Sequence, residues 1–135
     1  AKVRAIRPDI QLSATGCMPY VRANQEAYQD WASWLKRGLV DFVTIMSYPP
    51  DIPEFKKYIF EAKTRSVNFK KVNVGIGAYK LLKTPEIFER QLELCEESNA
   101  RSCVILHYGS LVQNPTLANS LMSRKKSDPA GRTKQ

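Results

Sequence analysis

The run VNVGIGAY, Val72 to Tyr79, sorts onto two unlike faces when read with the two-residue period of a β-strand. Val72, Val74, Ile76 and Ala78 make one face wholly apolar, while Asn73, Gly75, Gly77 and Tyr79 make the other polar, small or aromatic. Two other runs repeat the division. Ile10, Leu12 and Ala14 alternate with Gln11, Ser13 and Thr15, and Val43 and Ile45 oppose Thr44, Met46 and Tyr48. A fourth run, Ser102 to Tyr108, is apolar on both faces until His107 and Tyr108. A sheet covered by helices on both sides is apolar on both faces. One apolar face and one small, polar or aromatic face suit a barrel instead, with helices outside and a packed interior.

The spacing of these runs predicts the fold class. Strands over Ile10–Thr15, Asp41–Tyr48, Val72–Tyr79 and Ser102–Tyr108 have mid-points at Leu12, Val43, Val74 and Ile105, a constant interval of 31 residues. Strands at that interval with a helical pattern in each gap are βαβ units, and right-handed crossovers make their sheet parallel. The first gap predicts one helix from a cap at Asn24 to about Arg37, stopped by Gly38, with Ala27, Trp31, Ala32, Trp34 and Leu35 on its apolar face. In the second, Pro53 suits a first turn and Phe55, Tyr58, Ile59 and Ala62 form the stripe. The third reads as a helix capped by Thr84, opened by Pro85, carrying Ile87, Phe88, Leu92 and Cys95, and ending near Asn99. Asn114-Pro115 opens a shorter helix to about Met122. The expectation is α/β: four consecutive βα units, half of a (β/α)8 TIM barrel, over residues 1–122. Residues 123–135 read as a basic, disordered tail. Val3, Ala5 and Ile6 read as the end of a further helix, so the chain reads as a fragment that begins inside another unit.

Composition bounds what such a chain does. At 135 residues, 43% hydrophobic and 25% charged, it suits one globular domain. No apolar run reaches the roughly 20 residues that span a bilayer. The net charge of +8 is half concentrated after Ser123, where Arg124, Lys125, Lys126, Arg132 and Lys134 face only Asp128. The remainder is scattered near helix ends, where cations complement the dipole. No nucleic-acid-binding signature accompanies it, so a solvated basic surface is the expectation and nucleic acid is not an expected partner. Cys17, Cys95 and Cys103 are odd in number and lack CxxC spacing, which predicts packed thiols at Cys95 and Cys103 and neither a disulfide framework nor a zinc site.

Chemistry in parallel barrels sits at the C-terminal ends of the strands. Those ends carry Cys17 and Met18, then Met46, Tyr48 and Asp51, then Tyr79 and Lys80, then His107 and Tyr108. A rim of aromatic rings, hydroxyls and one amine suits a sugar, which stacks its apolar faces and needs partners for its hydroxyls. Met46, Tyr48, Asp51, Tyr79, Lys80, His107 and Tyr108 are therefore the expected substrate-binding residues. Each also has a plainer reading: His107 as a packed, hydrogen-bonded residue, Tyr48 and Tyr79 as fillers of the barrel mouth, and Lys80 as a solvated cation. A single histidine excludes a multi-histidine metal cluster, and Gly75-x-Gly77 opens no dinucleotide motif, so no cofactor is expected. Glycosidic hydrolysis needs two carboxyl groups about 5–10 Å apart. Asp51 alone lies in a strand-end loop; Glu54, Glu61, Glu86, Glu89, Glu93, Glu96 and Glu97 belong to helices, and Asp41 sits at the wrong end of its strand. No acid/base pair is visible.

WASWLKRGLVDFVTIMSYPPD (Trp31–Asp51), VGIGAYK (Val74–Lys80), SCVILHYGSL (Ser102–Leu111) and the lead-in IRPDIQLSA (Ile6–Ala14) resemble the bacterial glycosyl-hydrolase-like family 10 barrels. The order and spacing fit residues 1–122. The resemblance implies a barrel whose fifth to eighth strands are present, with the catalytic acid of the fourth lying before Ala1. It places Tyr48, Tyr79 and Tyr108 along a cleft for polysaccharide or peptidoglycan-like glycans, with His107 where a small polar residue is more usual. It also implies an exported or envelope-associated protein. Glycoside hydrolase family 18 has a related Met-x-Tyr-Asp strand ending; here Pro49 and Pro50 separate Tyr48 from Asp51. The functional expectation is a fragment of a glycoside hydrolase that supplies cleft residues, inactive alone, with a missing half-barrel as its partner. The alternative is a non-catalytic carbohydrate-binding or scaffolding half-barrel that closes against a second copy.

Overall fold

A computed structural model describes residues 2–127. Its order is α1 (Lys2–Ile6), β1 (Ser13–Cys17), α2 (Tyr20–Gln25), α3 (Trp31–Lys36), β2 (Phe42–Ser47), α4 (Ile52–Arg65), β3 (Val72–Gly77), α5 (Pro85–Glu97), β4 (Ser102–Leu106), α6 (Tyr108–Gln113) and α7 (Pro115–Ser127). The strands form one sheet in the order β1-β2-β3-β4, parallel at every seam. The mixed α/β class and the four parallel strands match the expectation from spacing.

The register explains how the two faces differ. Ala14 pairs with Val43, and Gly16 with Ile45, which pairs in turn with Val74 and through it with Cys103. This side receives the helices. Val43, Ile45, Val72, Val74 and Ile76 are wholly buried there with Trp31, Phe55, Phe88 and Leu92 from α3, α4 and α5. The opposite side carries a row from Thr15 through Thr44 and Asn73 to Ser102. Asn73 Nδ2 donates to Thr44 Oγ1 at 3.1 Å, and Ser102 Oγ donates to Asn73 Oδ1 at 2.8 Å. Thr15 and Ser102 are exposed, so the ends of this polar row face solvent.

Several local expectations give way to the structure. The single helix expected from Asn24 to Arg37 is two helices. Tyr28 adopts φ 52 between them, and Asp30, not Asn24, caps α3 by accepting from Ser33 N at 3.0 Å. Gly38, at φ 65, stops α3 as expected. The first strand begins at Ser13 rather than Ile10, because its approach is held by a side chain. Asp41 Oδ2 accepts from Leu12 N at 2.7 Å, while Asp41 N donates to Leu12 O at 2.7 Å. Tyr48, Tyr79, His107 and Tyr108 lie just past their strands, and α6 follows β4 directly. The last helix runs to Ser127, beyond the expected end at Met122, so the first residues assigned to a disordered tail are helical. The rest of that tail lies outside the described residues.

The expected thiols at Cys95 and Cys103 are instead a disulfide with Cα atoms 6.1 Å apart. Cys95 is on the buried stripe of α5 and Cys103 on the helix-facing side of β4, so packing that helix on its own following strand brings the sulfurs together. An odd count in sequence hides a pair made by tertiary structure.

Candidate functional site

The rim at the C-terminal ends of β1, β2 and β3 is shaped by two glycines and a turn. A Cβ on Gly77 would lie 2.9 Å from Tyr48 Cβ, and one on Gly75 would lie 2.8 Å from Ile45 O and 3.0 Å from Tyr48 Cε1. The Tyr48 ring thus lies across β3 in space that only glycines leave open. Burial raises its phenol above the ordinary value of 10, with Tyr79 and Cys17 adding to the effect. Behind Tyr48 the chain turns through Pro49 and Pro50. The turn is tied to α5 by buried Gln91, whose Nε2 donates to Pro49 O at 2.9 Å. Asp51 then caps α4, accepting from Glu54 N at 2.8 Å through Oδ1.

A cleft of about 330 Å³ opens at this rim. Cys17, Met18 and Arg22 come from the end of β1 and from α2; Met46 and Tyr48 follow from β2; Lys80 comes from beyond β3. The first two turns of α4 add Glu54 and Tyr58 to the lining. The Tyr58 hydroxyl donates to Glu54 Oε1 at 2.7 Å, and burial followed by this carboxylate pushes the phenol up to about 12. It stays a neutral donor across the physiological range.

The rim behind Arg22 is braced by a polar cluster. Tyr20 N donates to Glu61 Oε2 at 3.2 Å, the Tyr20 hydroxyl donates to Asp30, and the Arg65 guanidinium lies 4.3 Å from the Tyr20 ring centroid. Burial, with Asp30 next, pushes the Tyr20 phenol up to about 12. The segment that carries Met18 and Arg22 is thereby fixed against α4.

Of the seven residues expected from sequence, Met46, Tyr48 and Lys80 line the cleft. Tyr79 and His107 continue its edge as a row of rings: Tyr48 and Tyr79 meet edge-to-face at 6.1 Å, and Tyr79 and His107 lie 13° from parallel at 6.2 Å. Lys80 Nζ lies 5.9 Å from the Tyr79 ring centre. Tyr108 stands apart on α6, 78% exposed. Asp51 is outside the cleft lining, and its Oδ1 is engaged by the α4 cap.

Sequence reasoning missed Arg22, Glu54 and Tyr58. Glu54 is helical, as expected, but the start of α4 also lines the cleft. The signal was present: Asp51-x-x-Glu54 is a capping spacing that starts the helix at the rim, and Glu54 and Tyr58 are four apart, hence on one helix face. No group of three or more potential metal ligands occurs among the described residues, and no described helix is long and apolar enough to cross a membrane. No family model matches the chain, nor does any curated protein or solved structure.

Proposed function

We propose that the chain is half of a (β/α)8 barrel of the glycoside hydrolase kind and supplies walls of a polysaccharide-binding cleft. The observation that carries this reading is the cleft at the C-terminal strand ends, where Tyr48, Met46 and Lys80 meet Tyr58 and Glu54. A sugar offers an apolar face to a ring such as Tyr48 and hydroxyls to flanking polar groups. The sequence resemblance to glycosyl-hydrolase-like family 10 supports the same reading. So does a sheet with sequential parallel strands, helices on one side and a polar row on the other. Hydrolysis requires two carboxyl groups, and among the described residues the cleft lining holds only one, Glu54. On this reading at least one catalytic carboxylate comes from the other half of the barrel, and this half alone is inactive. The disulfide suits an oxidising compartment such as the cell envelope.

Calorimetric titration of the chain with soluble tetrasaccharides, cellotetraose, maltotetraose and chitotetraose, tests the reading. At least one should bind, and Tyr48→Ala should weaken it about tenfold by removing a stacking ring. Absence of binding to all three, or a Tyr48→Ala variant that binds equally well, would overturn it.

Two open parallel edges favour a second reading, a carbohydrate-binding half-barrel that dimerises. A two-fold axis along the barrel would set β4 of each copy beside β1 of the other, parallel at both seams. Light scattering separates the two: this reading expects a defined dimer of twice the 15.4 kDa chain mass at all concentrations, whereas open edges alone give a mass that rises with concentration.

A further inference from the structure

We infer that Glu54, held by Tyr58, is the specificity-determining acceptor of the cleft, engaging adjacent hydroxyls of a sugar ring stacked on Tyr48. The inference rests on the glycan reading of the cleft and deepens it.

The geometry of the α4 start is the basis. In an Asp-x-x-Glu start the glutamate ordinarily returns to the N–H of the capping residue. Only half of that exchange is made here. Asp51 accepts from Glu54 N, but the Glu54 side chain turns forward along the helix, and its Oε1 accepts from the Tyr58 hydroxyl. Its Oε2 makes no hydrogen bond or ion pair with any described residue, and Glu54 lines the cleft. Tyr58, 9% exposed, anchors the carboxylate from within the packed face of α4. A carboxylate held through one oxygen by Tyr58 and with the other oxygen spare, lining the same cleft as the Tyr48 ring, is an acceptor set for O–H donors. Oε2 can accept from one hydroxyl and Oε1, beyond its bond from Tyr58, keeps a lone pair for the neighbouring one, and charge-assisted bonds of this kind exceed neutral ones. The other charged cleft groups differ in kind. Arg22 is paired with Glu26 at 3.3 Å, and Lys80 is a donor only.

Calorimetry on the full chain tests this with the tetrasaccharide that binds best and its monodeoxy derivatives. Glu54→Gln, which keeps shape but converts one acceptor oxygen to a donor, should weaken binding by about tenfold or more. Tyr58→Phe, which releases the carboxylate, should weaken it by a smaller factor. Removing the hydroxyl that donates to Glu54 should weaken binding to the unaltered chain but hardly at all to Glu54→Gln, a coupling that a merely structural role would not produce. Binding by the unaltered chain with Glu54→Gln within twofold would overturn this inference and leave the cleft reading intact. No binding of any tetrasaccharide by the unaltered chain would overturn both.

Discussion

Gly16 and Trp31 meet so closely that one added methyl decides the packing beneath the rim. A Cβ at Gly16 would stand 2.4 Å from Trp31 Cδ1, and Trp31 is wholly buried, so the indole has nowhere to retreat. Gly16→Ala should cost about 1–3 kcal/mol as overpacking, read from the urea midpoint at unchanged m-value. A variant as stable as the parent would contradict the close approach. Asp41 lies at the opposite end of the sheet and acts on stability alone. The Leu12 N–H and the Arg4 guanidinium hold its carboxyl below the ordinary 3.8. A carboxylate depressed in the folded state lends stability that is fully present above 3.8 and is lost as the pH falls through its lower folded value. Asp41→Asn should therefore flatten the fall of Tm with acid below about pH 4, and an unaltered acid limb would contradict this role. Tyr48 and Lys80 were legible as rim residues because position at a strand end is a matter of counting. For Glu54 the sequence gives the helix start and the face shared with Tyr58 but not the direction of that face, which depends on how the connecting Pro49-Pro50 turn is tied down by Gln91 on another helix.

At the scale of elements, α4 and α5 followed their sequence signals closely, since Pro53 and Pro85 mark first turns and the apolar stripes have helical spacing, although Thr84 precedes α5 without a side-chain cap bond. The α2–α3 region did not. Its apolar pattern is continuous enough to suggest one helix, and the break at Tyr28 with the cap at Asp30 is fixed by Tyr20 and Ser33, contacts that spacing does not encode. The α5–β4 disulfide is the other feature hidden from composition. It closes a loop with a sequence separation of 8, for which chain entropy gives about 2.5 kcal/mol. The pair Cys95→Ala and Cys103→Ala should lower stability by about that amount. Thiol titration of the native, unreduced chain should find Cys17 alone, and a count of three would remove the disulfide from the account. Asp51→Ala should cost about 1 kcal/mol as a lost cap. It should leave glycan affinity nearly unchanged, whereas a large loss of affinity would return Asp51 to the substrate.

For the whole molecule, the 31-residue interval made the parallel sheet legible, because a crossover helix plus its strand sets that length. The sheet leaves two parallel edges, β1 and β4, and a polar face whose end residues Thr15 and Ser102 meet solvent. Such edges recruit further strands. The chain in solution should consequently show a mass above 15.4 kDa that rises with concentration, and a monodisperse monomer at high concentration would argue against edge pairing. The central claim concerns the other end of the same strands, where the cleft forms. It is tested most directly by the amide chemical-shift map of the isotopically labelled chain titrated with tetrasaccharides. Shifts gathered at Cys17, Met46, Tyr48, Glu54 and Lys80 are the expected result. No shifts, or shifts gathered instead in the groove between α4 and α5 lined by Ile59, Phe60 and Leu94, would contradict it.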